Sequence, residues 1–393
     1  MLSYKFLFDI AIILLSTKLL GLLTRKFHMP QVVGALLAGL FLGPAVLDVL
    51  HETSFIEKMS ELGVIVLMFT AGLETDIKQL KKTGKASFII ALMGVIIPII
   101  GGITISYIFN RGNLATVEGN VMLQNIFIGI ILTATSVSIT VETLKELGKL
   151  STEAGNAILG AAIIDDILGI IALTIITSMS DNTVNVLLVL GKISMFFLLS
   201  SIIGYLFYRS FDKWVKLYNN DKRRFVIISF VFCLLLSFVA ERFFGVADIT
   251  GAFIAGIIIS STKRKKYILA RFETISYMLL SPMFFASIGI KVKLPKMSAI
   301  LVLFSLILII VAILTKVIGC ALGAKMAKLS NEQALQIGVG MVSRGEVALI
   351  VANKGSNLGL LSPLFLPPII IMVVTTTVIT PILLKIVFNR IKI

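Results

Sequence analysis

Asp165 and Asp166 stand side by side in a run, Ala154 to Ser180, that carries no other charge. Ionisable groups that deep in an apolar segment are costly and mark an ion or proton path by default. Neighbouring residues on a helix point about 100° apart, so the two carboxylates cannot share one face. One is free to enter a cavity while the other pairs with something nearby. Two basic residues are equally deep. Lys316 lies in Leu314-Thr315-Lys316-Val317-Ile318-Gly319, too central to extend to a membrane surface. Its expected partner is an intramembrane carboxylate, for which we choose Asp165; a static salt bridge is the plainer reading of such a pair. Arg344 lies in Gly338-Val339-Gly340-Met341-Val342-Ser343-Arg344-Gly345-Glu346. Arg344 and Glu346, two residues apart, would face different sides of a regular helix, so each is expected to meet a helix stub or another span.

A third patch is polar without charge. Thr133-Ala134-Thr135-Ser136-Val137-Ser138-Ile139-Thr140 has a hydroxyl at five of its eight positions. Such side chains either bond back to their own helix or support a break in it. A break exposes carbonyl oxygens, which suit hard alkali cations, and its stubs present helix dipoles.

The elements that hold these residues are membrane helices. Of the 393 residues, 57% are hydrophobic and 15% charged, and the mean hydropathy is +1.02. That composition belongs to a polytopic membrane protein. The apolar runs are about 20 residues long and do not alternate, which excludes the short alternating segments of a β-barrel. The net charge of +15 reflects basic membrane loops rather than nucleic-acid binding. Cys233 and Cys320 lie in apolar runs and act as small hydrophobes, while His28 and His51 sit in separate loops. No disulfide framework or histidine metal site is expected. The first apolar run holds Asp9 and Lys18 and lacks a small-residue cleavage site, so it reads as a retained helix. Asp9 and Lys18 are expected at interfaces or against a second copy of the chain. Glu74, at the inner end of a span, is expected either to shape a cavity mouth or to sit in solvent. No nucleophile–base set or phosphate loop is present, so an enzyme and an organic cofactor are not expected.

Runs and breaks suggest about thirteen spans. Lys78, Lys81, Lys82 and Lys85, then Arg209 to Arg224, then Lys263 to Arg271 gather on one side, which predicts an outside N-terminus and a cytoplasmic C-terminus. Lys291, Lys293 and Lys296 are the exception. An internal repeat is visible: Gly34-Ala35-Leu36-Leu37-Ala38-Gly39 matches Gly251-Ala252-Phe253-Ile254-Ala255-Gly256, and Gly72 matches Gly289 at the same offset. The matched spans cross in opposite directions, the signature of inverted repeats in secondary transporters. The expected fold is all-α, with two inverted six-helix repeats joined by a linker helix and two broken crossing helices.

With these residues laid out, the chain resembles the monovalent cation:proton antiporter-2 family, the Kef/NapA-type exchangers. The likeness rests on Pro30-Gln31-Val32-Val33-Gly34 through Leu42-Gly43-Pro44, on Leu62-Gly63-Val64 through Phe69-Thr70-Ala71-Gly72-Leu73-Glu74-Thr75-Asp76, on Thr133-Ala134-Thr135-Ser136, and on Ser343-Arg344-Gly345-Glu346-Val347-Ala348. It implies an NhaA/NapA-like fold. A dimerisation scaffold would comprise residues 1–82 and 222–295, an ion-transport core residues 83–180 and 296–393, and a linker residues 181–221. It further implies that Asp166 binds the alkali cation or a proton, with Thr133, Thr135 and Ser136 near it. Asp165 would pair with Lys316, and Arg344 and Glu346 would support the helix crossing. Exchange would be electrogenic, in a homodimer within the cell membrane, with monovalent cations, protons and membrane lipid as partners and no nucleic acid. Sodium/proton exchange is the leading expectation, potassium/proton or mixed exchange the second, and a channel or membrane sensor the third.

Overall fold

A computed structural model of the chain describes residues 4–27, 29–111, 114, 120–180, 185–217, 222–292 and 297–389. His28, Lys293 and Lys296 lie outside them. The described residues form helices and connecting turns, with no strand. In chain order the helices are α1 (Lys5–Lys26), α2 (Gln31–Leu42), α3 (Ser54–Glu74), α4 (Ile77–Phe109), α5 (Val121–Ile131), α6 (Val137–Glu146), α7 (Glu153–Ser180) and α8 (Val186–Leu217). They continue with α9 (Lys222–Val239), α10 (Asp248–Ser260), α11 (Lys265–Ile275), α12 (Ser281–Ile290), α13 (Ala299–Met326), α14 (Asn331–Gly340), α15 (Glu346–Asn357) and α16 (Leu366–Asn389). A π turn at Ala240–Phe244 extends α9, and another at Ser276–Leu280 joins α11 to α12.

Eight of these helical stretches are long and apolar enough to cross a membrane: α1, α4, α7, α8, α9, the joined α11 and α12, α13 and α16. Helices α2, α5 and α10 are apolar but shorter. Large side chains such as Leu15, Leu19 and Leu22 on α1, Leu198 and Ile202 on α8, and Leu306 and Ile310 on α13 are exposed. Such a surface suits hydrocarbon and not water.

Local chemistry sets several boundaries. Thr53 caps α3 by accepting from the Ile56 N–H, Asp76 caps α4 through Lys78, and Asn120 caps α5 through Met122 and Leu123. Ser330 and Gln333 form a reciprocal capping box at the start of α14, satisfying donors that a helix start leaves open.

Packing falls into two groups. In the first, α4 lies along α13 and α7, with α5 against α4 and with α14 and α16 against α13. In the second, α3 packs on α10, α2 on α1 and α12, and α9 on α10. The groups touch where α6 meets α2 and α3 and where α16 meets α2, and α8 contacts both α7 and α10. The repeated glycines mark the tightest approaches in the second group. A Cβ on Gly39 would overlap the backbone of Ala286, and one on Gly289 the backbone of Leu40. A Cβ on Gly72 would overlap Phe253, and one on Gly256 would overlap Phe69. Without side chains the backbones come close enough for dispersion and weak Cα–H···O contacts to hold them.

One expectation fails here. Asp9 is 3% exposed and packed inside the chain, with Oδ1 lacking a hydrogen-bond partner among the described residues. The α1 face that carries it turns inward beside Ile13, while Leu15 and Leu19 turn out.

Gly72→Leu is expected to wedge α3 from α10 and lower the thermal midpoint of the purified protein by several degrees. Gly84 has no atom within 4 Å of where a Cβ would stand. Gly84→Ala in the same assay is expected to leave the midpoint unchanged or slightly raised, because alanine is the better helix former.

Candidate ion-binding site

Lys316 of α13 reaches Asp165 of α7. The ammonium is 2.9 Å from Asp165 Oδ1 and 3.0 Å from Oδ2, and both side chains are sealed from solvent. Taking two charges out of water is repaid only when further hydrogen bonds surround them. Lys316 Nζ donates to the Gly94 carbonyl at 2.9 Å and to the Thr133 carbonyl at 2.8 Å. The Thr135 hydroxyl donates to Asp165 Oδ2 at 2.7 Å. The site is therefore a compact ring drawn from α4, the α5–α6 junction, α7 and α13.

The junction exists because α5 stops at Ile131 and α6 starts at Val137. The Thr133 hydroxyl donates back to the Ile130 carbonyl at 2.8 Å, a local bond that competes with helix continuation. The carbonyl of Thr133 is thereby directed at Lys316 and not along a helix.

A second interruption crosses the first. α14 ends at Gly340 and α15 begins at Glu346. The Ser136 N–H donates to the Ser343 carbonyl at 2.8 Å, and the Ser343 hydroxyl donates to the Ser136 carbonyl at 2.8 Å. Thr140 of α6 donates to the Gly340 carbonyl at 2.7 Å. A Cβ at Gly345 would stand 2.8 Å from Ser136 Oγ, too close to fit. Backbone groups freed by the two breaks thus satisfy each other inside the bundle, as an apolar setting requires.

Arg344 is fully buried. Its Nη1 donates to the carbonyls of Met341 and Val342 at 3.2 and 2.9 Å, and its Nη2 to Ala312 at 3.3 Å. These first two carbonyls follow the C-terminal end of α14, where the helix dipole is negative and a cation is favourable. Thr377 of α16 donates to the Arg344 carbonyl at 2.5 Å. Glu346 is the first residue of α15; its side chain lies outside the described residues.

Asp166 stands apart. It is half-buried and has no hydrogen bond or ion pair among the described residues. The two adjacent carboxylates therefore differ completely: Asp165 is enclosed and fully engaged, Asp166 partly accessible and unengaged. Thr133, Thr135, Asp165 and Lys316 converge, and Ser136 joins the helix crossing near Arg344. Gly94, Thr140, Ser343 and Thr377 complete the arrangement. None of these four was assigned from the sequence, although Thr140 and Ser343 lie in stretches singled out there. Of the two readings for Glu74, solvation fails: it accepts an ion pair from Lys145 of α6 at 2.8 Å, and Glu273 of α11 lies 3.5 Å from the same ammonium.

A family model described as the transmembrane sodium/hydrogen exchanger matches residues 11–390. A Bacillus cereus protein named Na(+)/H(+)-K(+) antiporter GerN is 39% identical over 388 residues, covering 98% of this chain and 97% of the relative. An Enterococcus hirae protein named Na(+)/H(+) antiporter is also 39% identical, over 392 residues and 97% of both chains. Among solved structures, the sodium proton antiporter MjNhaP1 of Methanocaldococcus jannaschii superposes with a TM-score of 0.70 at 18% identity. The match covers 98% of this chain and 97% of that one, and it establishes likeness of fold.

Asp165→Asn leaves the Lys316 ammonium buried without its counter-charge. The expected loss is about 3–5 kcal/mol of stability, read as a lower midpoint of thermal unfolding in detergent. An unchanged midpoint would mean that the pair adds nothing to the fold.

Proposed function

Since the chain belongs to the transmembrane sodium/hydrogen exchanger family, we propose that it is a secondary antiporter exchanging Na⁺ for H⁺ across the cell membrane, with Asp166 binding the two ions in competition. The observation that carries this reading is the division within the aspartate pair. Asp165 is occupied by Lys316 and Thr135, whereas Asp166 has no partner among the described residues and is partly accessible. In this reading an ion arriving at the site meets one unengaged carboxylate, and backbone and hydroxyl oxygens from the Thr133 to Ser136 segment complete its shell. Oxygen ligands of this kind suit a hard alkali cation.

Coupling follows from charge. Asp166 loaded with either Na⁺ or a proton is neutral and can cross the apolar barrier as the site changes access. Bare Asp166 is charged and cannot. The Asp165–Lys316 pair beside it carries the further charge through which exchange responds to membrane potential. One pH unit then supplies about 1.4 kcal/mol per proton, and each net charge about 2.3 kcal/mol per 100 mV.

The same reading gives the architecture. About thirteen crossings are counted when the α5–α6 and α14–α15 pairs are each taken as one broken span. The glycine contacts support an inverted repeat. Gly39 corresponds to Gly256 and Gly72 to Gly289 in the repeat; Gly39 lies against the helix of Gly289, and Gly72 against that of Gly256. Exchanging the halves maps one contact onto the other. Residues 83–180 and 296–393 form the moving core, 1–82 and 222–295 the dimerising scaffold, and 181–221 the linker, with the N-terminus outside. Arg344 offsets the negative end of the α14 stub, and Glu346 sits at the positive start of α15. A second reading, potassium/proton or mixed exchange, draws support from the K⁺ in the printed name of the Bacillus cereus relative.

The test uses proteoliposomes with a trapped pH dye. Na⁺ pulses are expected to dissipate an imposed pH gradient in the parent, and Asp166→Asn to abolish this; substantial transport by the variant refutes the ion-binding role. Lys316→Gln is expected to weaken the response to membrane potential more than the apparent affinity for Na⁺. If its response matches the parent's, Lys316 is structural only.

A further inference from the structure

The ammonium of Lys316 draws on two backbone carbonyls, and each needs a reason to be available inside a membrane bundle. A carbonyl within an α-helix normally accepts the N–H four residues ahead. For Thr133 the reason is the break between α5 and α6. Gly94 has no such break: it lies in the middle of α4, a continuous helix of 33 residues. The residue four ahead of Gly94 is Pro98, which lies inside α4. Proline has no N–H, so the Gly94 carbonyl lacks its helical donor, and at this one position the ladder of α4 is open toward α13. Lys316 Nζ fills the gap at 2.9 Å.

Gly94 contributes the second half of the opening. A Cβ there would stand 2.6 Å from Cys320 Sγ and 3.6 Å from Lys316 Nζ. A side chain at position 94 would push α13 away and shield the carbonyl. Pro98 removes the competing donor and Gly94 removes the steric screen. An unsatisfied carbonyl in an apolar bundle is unfavourable, and so is an ammonium with too few acceptors. Each need is met by the other.

We propose that Pro98 is a positioning residue of the exchange site: by withholding one N–H it reserves the Gly94 carbonyl for Lys316, fixing the ammonium between Asp165 and the α5–α6 break. Its consequence for exchange rests on the proposed function above; its consequence for the Lys316 geometry does not. A proline kink alone would also bend α4, but a bend acts on the packing of the whole helix and does not depend on what stands at position 316.

That difference defines the experiment, a double-mutant cycle of Pro98→Ala and Lys316→Gln in the full-length protein. Alanine restores the N–H, which competes with Lys316 for the Gly94 carbonyl. In the parent background, Pro98→Ala is expected to lower the exchange rate at a fixed membrane potential about ten-fold or more, the size expected for losing one charge-assisted hydrogen bond. In the Lys316→Gln background it is expected to change the remaining rate by less than about two-fold. Thermal midpoints provide the cycle without transport: Pro98→Ala is expected to be less favourable in the parent than in Lys316→Gln, by about 2 °C or more. Pro98→Gly, which also restores the N–H, is expected to behave as Pro98→Ala does. Equal effects of Pro98→Ala in both backgrounds, in rate and in midpoint, overturn the proposal and leave a bend. If the parent shows no Na⁺-dependent exchange, the functional reading fails, and the midpoint cycle still decides the role of Pro98.

Discussion

The structure depends on one buried charge. An ammonium at the position of Lys316 has no water and no route to a surface, and a bundle containing it is stable only if carboxylate and carbonyl oxygens are brought to it. Asp165 supplies the counter-charge, Thr135 fixes that carboxylate, and the carbonyls of Gly94 and Thr133 take the remaining donors. Those four partners come from three separate stretches of chain, so the ion pair ties α4, the α5–α6 junction and α7 to α13. Such an arrangement is weak as a device for stability, since an apolar replacement of matching shape is often as stable. Its value lies in placing an ionisable pair one residue from a carboxylate that is left open.

The helix breaks answer a second constraint. A chain cannot end a helix inside hydrocarbon unless the released N–H and C=O groups find partners. Here each break serves the other through Ser136, Ser343 and Thr140, and Arg344 takes the carbonyls that remain at the end of α14. The crossing thus provides oxygen-rich backbone inside the bundle whose freed groups are largely taken up by one another and by Arg344. In the exchange reading, that is the surface on which a cation can lose its hydration shell.

Much of this was legible in the sequence because intramembrane charge is rare and each instance needs an explanation. Asp165, Asp166, Lys316 and Arg344 were identifiable from depth alone, and hydroxyl density and glycines pointed to both interruptions. The pairing of Asp165 with Lys316 was also readable, since few carboxylates lie deep enough to serve. What could not be read were the contacts made by backbone atoms. The hydroxyl run announced exposed carbonyls near Thr133, but the Gly94 carbonyl carries no side-chain signature, and its opening depends on Pro98 four residues ahead. Asp9 was misplaced because its neighbours are apolar on every side, so sequence period does not say which face turns inward. The ion pair of Glu74 was missed for the opposite reason: its partner Lys145 is distant in sequence and on another helix.

If Na⁺ and a proton compete for Asp166 beside the occupied Asp165, binding of one releases the other. The most direct measurement is proton release by the purified protein in weakly buffered detergent as Na⁺ is added. Competition at Asp166 gives acidification that saturates with Na⁺ and disappears when Asp166 is replaced by asparagine. Saturable Na⁺ binding with no proton released, at any pH where the protein is folded, would contradict it.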